Sequence, residues 1–258
     1  MKDSQFTVYG EKRSYDETKK FIEEQHSEMC QPHSRYSHAA KMIGENQKVL
    51  DFGSGWGCFS RILAEKGNEV IGLEQDEASL EIARTFNEHE KITYSDERLS
   101  ELPKEAYDVV CMLAVLEHVH NPGQCLMTIN SVLKPAGKLV LAVPNVLHLG
   151  FLRQQLAGNQ HEILSRASDK VLKNYSKAHD HIQSWEPITF VRLLASVGFK
   201  FLEHKYIEGV ILPWGKYTVG KAPWNRYWTV EPPRIKNLTY TMLFLFQQER
   251  YVEIDIYD

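Results

Sequence analysis

The residues whose spacing carries the most chemistry lie in the run VLDFGSGWG, Val49 to Gly57. Glycines at alternate positions after an apolar strand predict a loop that a ligand can approach closely along its backbone. A dinucleotide loop has the spacing GxGxxG and would place its third glycine at residue 58, which here is Cys58; the third glycine is Gly57 instead. Asp51 sets a carboxylate two residues before the first glycine. A pyrophosphate would be repelled by that charge, whereas a cationic, phosphate-free nucleoside would be attracted.

S-adenosylmethionine is such a ligand, carrying an ammonium and a sulfonium but no phosphate. Glu74 ends the next predicted strand, where a carboxylate can accept both hydroxyls of a ribose. NAD uses the same position, so Glu74 alone does not discriminate. Asp51 together with the GxGxG spacing does.

These residues need strands and helices to hold them. From about Lys48 to Val143 short apolar strands alternate with amphipathic helices. KVLDF, EVIGLE, KITYS, YDVVCML and KLVLAV read as five strands. Phe59, Ile62 and Leu63 share a helical face, and Glu77 to Asn87 is a second helix. Asn121-Pro122 fits an N-cap with proline at the first helical position, and KPAG reads as a turn. The series predicts an α/β fold: a Rossmann-like, seven-stranded, mostly parallel sheet with helices on both faces, a three-layer sandwich with ligands at the carboxyl ends of the strands. FKFLEHKYI supplies the sixth strand. LTYTMLFLF supplies the seventh, which lacks a crossover helix and so can insert antiparallel. The tail YVEIDIYD alternates like an edge strand. We read a single domain over 1–258. It has a helical N-terminal cap (1–44), a cofactor-binding core (45–144), an inserted lid or substrate region (145–184) and a C-terminal part of the sheet (185–258) bearing an aromatic loop (207–237).

Composition narrows the function. The chain has 258 residues, 43% hydrophobic and 25% charged, as in globular proteins, and a net charge of −4. That charge argues against holding nucleic acid by broad electrostatics. The longest apolar run, MLFLF, is too short to cross a bilayer, and the N-terminus has no secretory core segment. Four cysteines without CxxC spacing read as reduced thiols of a cytoplasmic protein, with no disulfide framework and no zinc site.

VLDFGSGWG, GLEQD, AYDVVCMLAVLEHV and LKPAGKLVLAVPN together resemble the class I S-adenosylmethionine-dependent methyltransferases. The nearest likeness is to the small-molecule branch that includes the ubiquinone-pathway O-methyltransferases. It covers roughly residues 35 to 145 and resumes at 185 to 206. The resemblance implies that Asp51, Gly53, Ser54 and Gly55 line the methionine end of S-adenosylmethionine, with Trp56 covering the loop. Glu74 would hold the ribose, Gln75 would lie beside the adenine, and Asp96 to Arg98 near it. Leu113 and Ala114 would touch the methionine portion, His118 would close the pocket, and Arg35 would meet the cofactor carboxylate. Asp96 and Arg98 could equally be a surface pair.

The acceptor side is less legible. His148 follows the fifth strand, and His179 and His181 lie in KAHDHIQSWEP, where relatives often place a histidine facing the acceptor. His181 and His148 are the candidate general bases, since an imidazole titrates near working pH. Glu117-His118 invites a metal, but relatives that hold a divalent ion have an acidic residue three positions earlier, where this chain has Ala114. Two adjacent ligands make a poor site for a hard cation, so no metal is expected. The run PWGKYTVGKAPWNRYW could be the wall of an apolar pocket or a stacking platform for bases. The expected activity is transfer of a methyl group to a small-molecule oxygen or nitrogen, releasing S-adenosylhomocysteine. A nucleotide-modifying enzyme and a non-catalytic interaction module are the other readings, and a homodimer is left open.

Overall fold

The computed structural model describes residues 4–148, 181–207 and 241–249, together with positions 161, 164, 165, 167 and 168. Its centre is set by strands whose alternate residues are apolar on both faces. β3 (Lys48–Phe52), β4 (Glu69–Leu73), β5 (Ile92–Ser95), β6 (Tyr107–Leu113) and β7 (Leu133–Pro144) are parallel neighbours. β6 is buried at every position but Asp108, as a strand covered on both sides must be.

Residues of one parity, Leu50, Val110, Met112, Leu139 and Leu141, pack against α5 (Pro122–Val132) and α6 (Pro187–Ser196) through Leu126, Ile129, Phe190 and Leu194. Those of the other parity, Val49, Val109, Cys111, Val140 and Ala142, pack against α2 (Arg35–Ile43) and α3 (Cys58–Glu65) through Ala39, Ile43, Phe59 and Leu63. The result is three layers, as the strand and helix pattern predicts. The sheet order is β5-β4-β3-β6-β7-β9-β8. β9 (Thr241–Gln248) lies between β7 and β8 (Phe199–Ile207) and is antiparallel to both.

Two local features depart from the sequence reading. The N-terminal region is not wholly helical. β1 (Gln5–Val8) and β2 (Glu11–Ser14) form a separate hairpin turned at Tyr9-Gly10, both with positive φ, ahead of α1 (Tyr15–Met29). Ser14 closes that hairpin and caps α1, exchanging hydrogen bonds with Glu17 in a capping box. The KPAG segment is part of β7 rather than a turn before it. Ala136 takes a left-handed φ of 61°, and the pairing with β6 shifts register between Tyr107 and Val109. A bulge inside one long strand does the work expected of a turn. α4 (Glu77–Phe86) follows β4 and is capped by Asp76.

Candidate functional site

The glycine loop leaves the carboxyl end of β3. Gly53 and Ser54 both donate their backbone N–H to the Leu73 carbonyl of β4, at 2.8 and 3.1 Å, which folds the loop over the sheet edge. Gly53 sits at φ +78°, and a Cβ there would lie 2.4 Å from Val115 Cγ2. Gly57 sits at φ +79° as the N-cap of α3, and a Cβ there would lie 2.3 Å from the Tyr94 hydroxyl. Both positions require glycine for conformation and for space. A Cβ built on Gly55 meets nothing within 4 Å, so the loop opens to free space at its centre.

Asp51 does not stand at the mouth of this loop. Strand alternation puts it on the face with Val49, beneath α3, and it is only 3% exposed. Ser60 of α3 donates to Oδ2 at 2.6 Å, and the Cys111 thiol lies 3.4 Å from Oδ1. Across the sheet Asp51 pairs with Gly72 and Cys111. Burial pushes its carboxyl up to about 6, in spite of the Ser60 and Cys111 hydrogen bonds. Asp51 is thus a buried acid under the loop rather than a charge in the open at its mouth. Ser60 and Cys111, which cradle it, carry no sequence signal. Helix and neighbouring strand bring them in from 9 and 60 residues away.

Glu74, just past β4, faces the loop. Its Oε2 accepts the Gly55 N–H at 2.9 Å, and its Oε1 accepts from Gln75 and Asp76 at 2.7 and 2.9 Å. Oε1 is filled by its two donors, whereas Oε2 keeps a second lone pair, which leaves capacity for one ligand hydroxyl. The Gln75 amide donates to the Asp96 and Glu97 carbonyls at 3.0 and 3.1 Å, joining the ends of β4 and β5. Asp96 and Arg98 are exposed on that rim. The Arg98 backbone N–H donates to Glu101 Oε2 rather than pairing with Asp96.

On the other side of the loop, Leu113 is buried at the end of β6 and Ala114 turns the chain with a left-handed φ of 61°. That turn lays Val115 over Gly53 and leads into a short 3-10 turn, Leu116–His118. Trp56 points away from this side. It packs edge-on against Tyr9 and Phe21, with centroids at 4.9 and 5.1 Å, and so ties the loop to the N-terminal hairpin and α1. Ser54 Oγ is buried with no hydrogen-bond partner.

The acceptor-side candidates gather around Glu117. Its side chain is fully buried, and neither carboxylate oxygen has a hydrogen-bond partner. Burial pushes this carboxyl up to about 7, against the positive charge of Arg35 at the start of α2. His181 Nε2 lies 3.9 Å from Glu117 Oε1, and the His118 and His181 rings meet edge-on at 5.0 Å. Donor atoms of Glu117, His118 and His181 come within 4.8 Å of one another, the one such group among the described residues that could surround a cation. Sequence reasoning saw the first two as neighbours in the chain; only the fold brings His181 to them. Arg35 is half-buried, its guanidinium 5.6 Å from the Tyr36 ring centre. The backbone N–H of His148 donates to the Asn145 carbonyl at 3.1 Å, and burial holds its imidazole below the usual range. His179, most of the expected lid, the 208–237 part of the aromatic loop and the tail expected as an edge strand, from residue 250 on, fall outside the described residues.

The chain matches a family model described as a methyltransferase domain over residues 21–204. It is similar to the ubiquinone biosynthesis O-methyltransferase of Acinetobacter baylyi, 32% identical over 114 residues that cover 42% of this chain and 47% of that protein. It spans about half the length of the curated relatives it matches. Among solved structures it is similar to the methyltransferase in a complex with the Trm112 methyltransferase activator of Haloferax volcanii. That likeness has a TM-score of 0.60 at 18% identity and covers 91% of this chain and 95% of the other. It is also similar to the N-methyltransferase NodS of Bradyrhizobium japonicum in complex with S-adenosyl-L-homocysteine. There the TM-score is 0.53 at 12% identity, over 90% of this chain and 99% of the other. At these identities the structural likeness is one of fold.

Proposed function

Since this chain belongs to the methyltransferase-domain family, we propose that it transfers a methyl group from S-adenosylmethionine to an oxygen or nitrogen of a small-molecule acceptor. The observation that carries the reading is the pairing of an open glycine loop with Glu74, whose carboxylate is bonded to Gly55 at the loop's centre. The residues present fit the cofactor. Gly55 has free space beside it, Ser54 Oγ is a buried polar atom awaiting a partner, and Glu74 Oε2 keeps a lone pair for a hydroxyl.

In this reading Gly53, Ser54, Gly55, Leu113 and Ala114 hold the methionine end, Glu74 holds the ribose, and Gln75 lies at the base. Asp51 supplies a negative field from below, favouring a cationic ligand over a pyrophosphate. The bound cofactor would supply a methyl group already activated on a sulfonium. The protein's part is therefore alignment and the exclusion of water. A hydroxyl acceptor must also lose its proton, and His181 is the residue we assign to take it, with His148 as the second candidate. The name of the Acinetobacter relative favours oxygen as the methylated atom. Residues 1–44, 145–184 and 207–237 would form the acceptor pocket.

No helix among the described residues is long and apolar enough to cross a membrane. All four cysteines are unpaired, in keeping with a reducing, cytoplasmic setting.

The test is transfer of labelled methyl from S-adenosylmethionine to a panel of phenols, diols and amines, with RNA oligonucleotides run alongside. Label in a small-molecule hydroxyl or amine is expected. Label entering RNA alone would overturn the small-molecule reading in favour of a nucleotide-modifying enzyme.

A further inference from the structure

A fully buried carboxylate with no hydrogen-bond partner is costly, and a fold keeps one only where a proton or a cation balances it. Glu117 is in that position. Three groups with positive charge available face it: Arg35 from α2, His118 from its own turn, and His181 from the chain entering α6.

His181 is held there by main-chain bonds. The Glu117 carbonyl accepts the N–H groups of Ile182 and Gln183, at 2.9 and 3.1 Å. One residue thus anchors the 181–183 segment through its backbone and faces the imidazole of that segment with its side chain. A little further on, Val146 donates to the Trp185 carbonyl at 3.0 Å, and Asn145 bridges to Trp185, so the whole segment is laced to the ends of β6 and β7.

We propose that Glu117 is a positioning residue for His181, its main chain fixing where the imidazole sits and its carboxylate, 3.9 Å from Nε2, balancing the charge the ring takes on, so that carboxylate and imidazole act as one unit beside the acceptor. The inference rests on His181 as the proton acceptor of the proposed reaction. In that reaction the acceptor oxygen forms its bond to the methyl carbon as the carbon–sulfur bond breaks and its electron pair stays on sulfur. The hydroxyl proton passes to His181 Nδ1, since Nε2 is the nitrogen that faces Glu117, and the Glu117 carboxylate balances the resulting imidazolium. Water takes the proton afterwards. The orientation follows the general pattern of a base held by a third group.

The experiment needs no acceptor. The imidazole signals of the full chain are followed by NMR against pH in the wild type, Glu117→Gln and Glu117→Asp. In Glu117→Gln the His181 midpoint falls by about one pH unit, the shift expected on losing a carboxylate at this distance. Glu117→Asp restores part of it. An unchanged His181 midpoint in folded Glu117→Gln would overturn the proposal. Should that variant fail to fold, His181→Asn is read at the Glu117 carboxyl carbon, whose midpoint rises when the imidazolium is removed; no rise would overturn it equally. Zn2+ alone is titrated in parallel. One-to-one binding that is lost in Glu117→Gln and in His181→Asn would overturn the carboxylate–imidazole pair and make the cluster a cation site. A chain that shows the His181 shift yet moves no methyl group fails the proposed function and keeps the pair, so the two failures are separable.

Discussion

Glu74 and Gly55 are joined by a hydrogen bond of 2.9 Å, from the backbone N–H at the centre of the glycine loop to a carboxylate oxygen at the end of the neighbouring strand. The bond makes the loop and the position we propose for the ribose one unit. Replacing Glu74 with Ala removes that brace and the proposed ribose acceptor together. S-adenosylmethionine should then bind more weakly by about 1–3 kcal/mol, the range for charge-assisted hydrogen bonds. Calorimetry on the folded variant checks it, and unchanged affinity would show that the ribose is held elsewhere.

Gly53 predicts a steric outcome. An alanine there must adopt φ +78° and place its Cβ 2.4 Å from Val115 Cγ2. Gly53→Ala should destabilise the fold by about 1–3 kcal/mol for the left-handed backbone, with more for the clash. Adding Val115→Ala should recover the clash but not the backbone strain. Thermal unfolding of the three variants shows this as an interaction between the two sites, and simple additivity would contradict the contact.

Much of this arrangement is legible in the sequence, for identifiable reasons. The strands buried on both faces announce themselves through continuous apolar runs, as in YDVVCML, and Asn121-Pro122 marks the start of α5 by local cap chemistry. Glycine positions are legible because backbone geometry is a local demand. What was not legible depends on partners far along the chain. Asp51 reads as a charge at the loop's mouth until Ser60 and Cys111 are seen closing around it. His181 reads as one of two candidate bases, with nothing to tie it to Glu117, until the Glu117 carbonyl is seen holding its segment. The N-terminal hairpin escaped because QFTV and EKRS are four residues each, too short for a period to show. The turn read into KPAG was local chemistry overruled by pairing with β6.

The buried state of Asp51 carries a pH signature. Its carboxyl is raised from 3.8 to about 6, so the folded state holds the proton more tightly than the unfolded one. For a raised carboxyl, the associated stability is full below the unfolded value, is lost as pH climbs from about 4 to 6, and stays lost above. A shift of this size corresponds to about 2–3 kcal/mol. Asp51→Asn carries no such term. The variant should therefore gain stability relative to the wild type as pH rises from about 4 to 7, while its affinity for a cationic cofactor falls. Denaturant unfolding at both pH values tests it; a difference between the two proteins that does not change with pH would show that Asp51 is ionised at no cost.

We read the loop as shaped for a phosphate-free, positively charged nucleoside, and one titration addresses that directly. Calorimetry of the wild-type chain with S-adenosylmethionine and, separately, with NAD compares ligands that share the ribose contact and differ in charge. The account predicts one-to-one binding of S-adenosylmethionine and no comparable heat with NAD. Binding of NAD in preference, or no binding of S-adenosylmethionine at millimolar concentration, would contradict it.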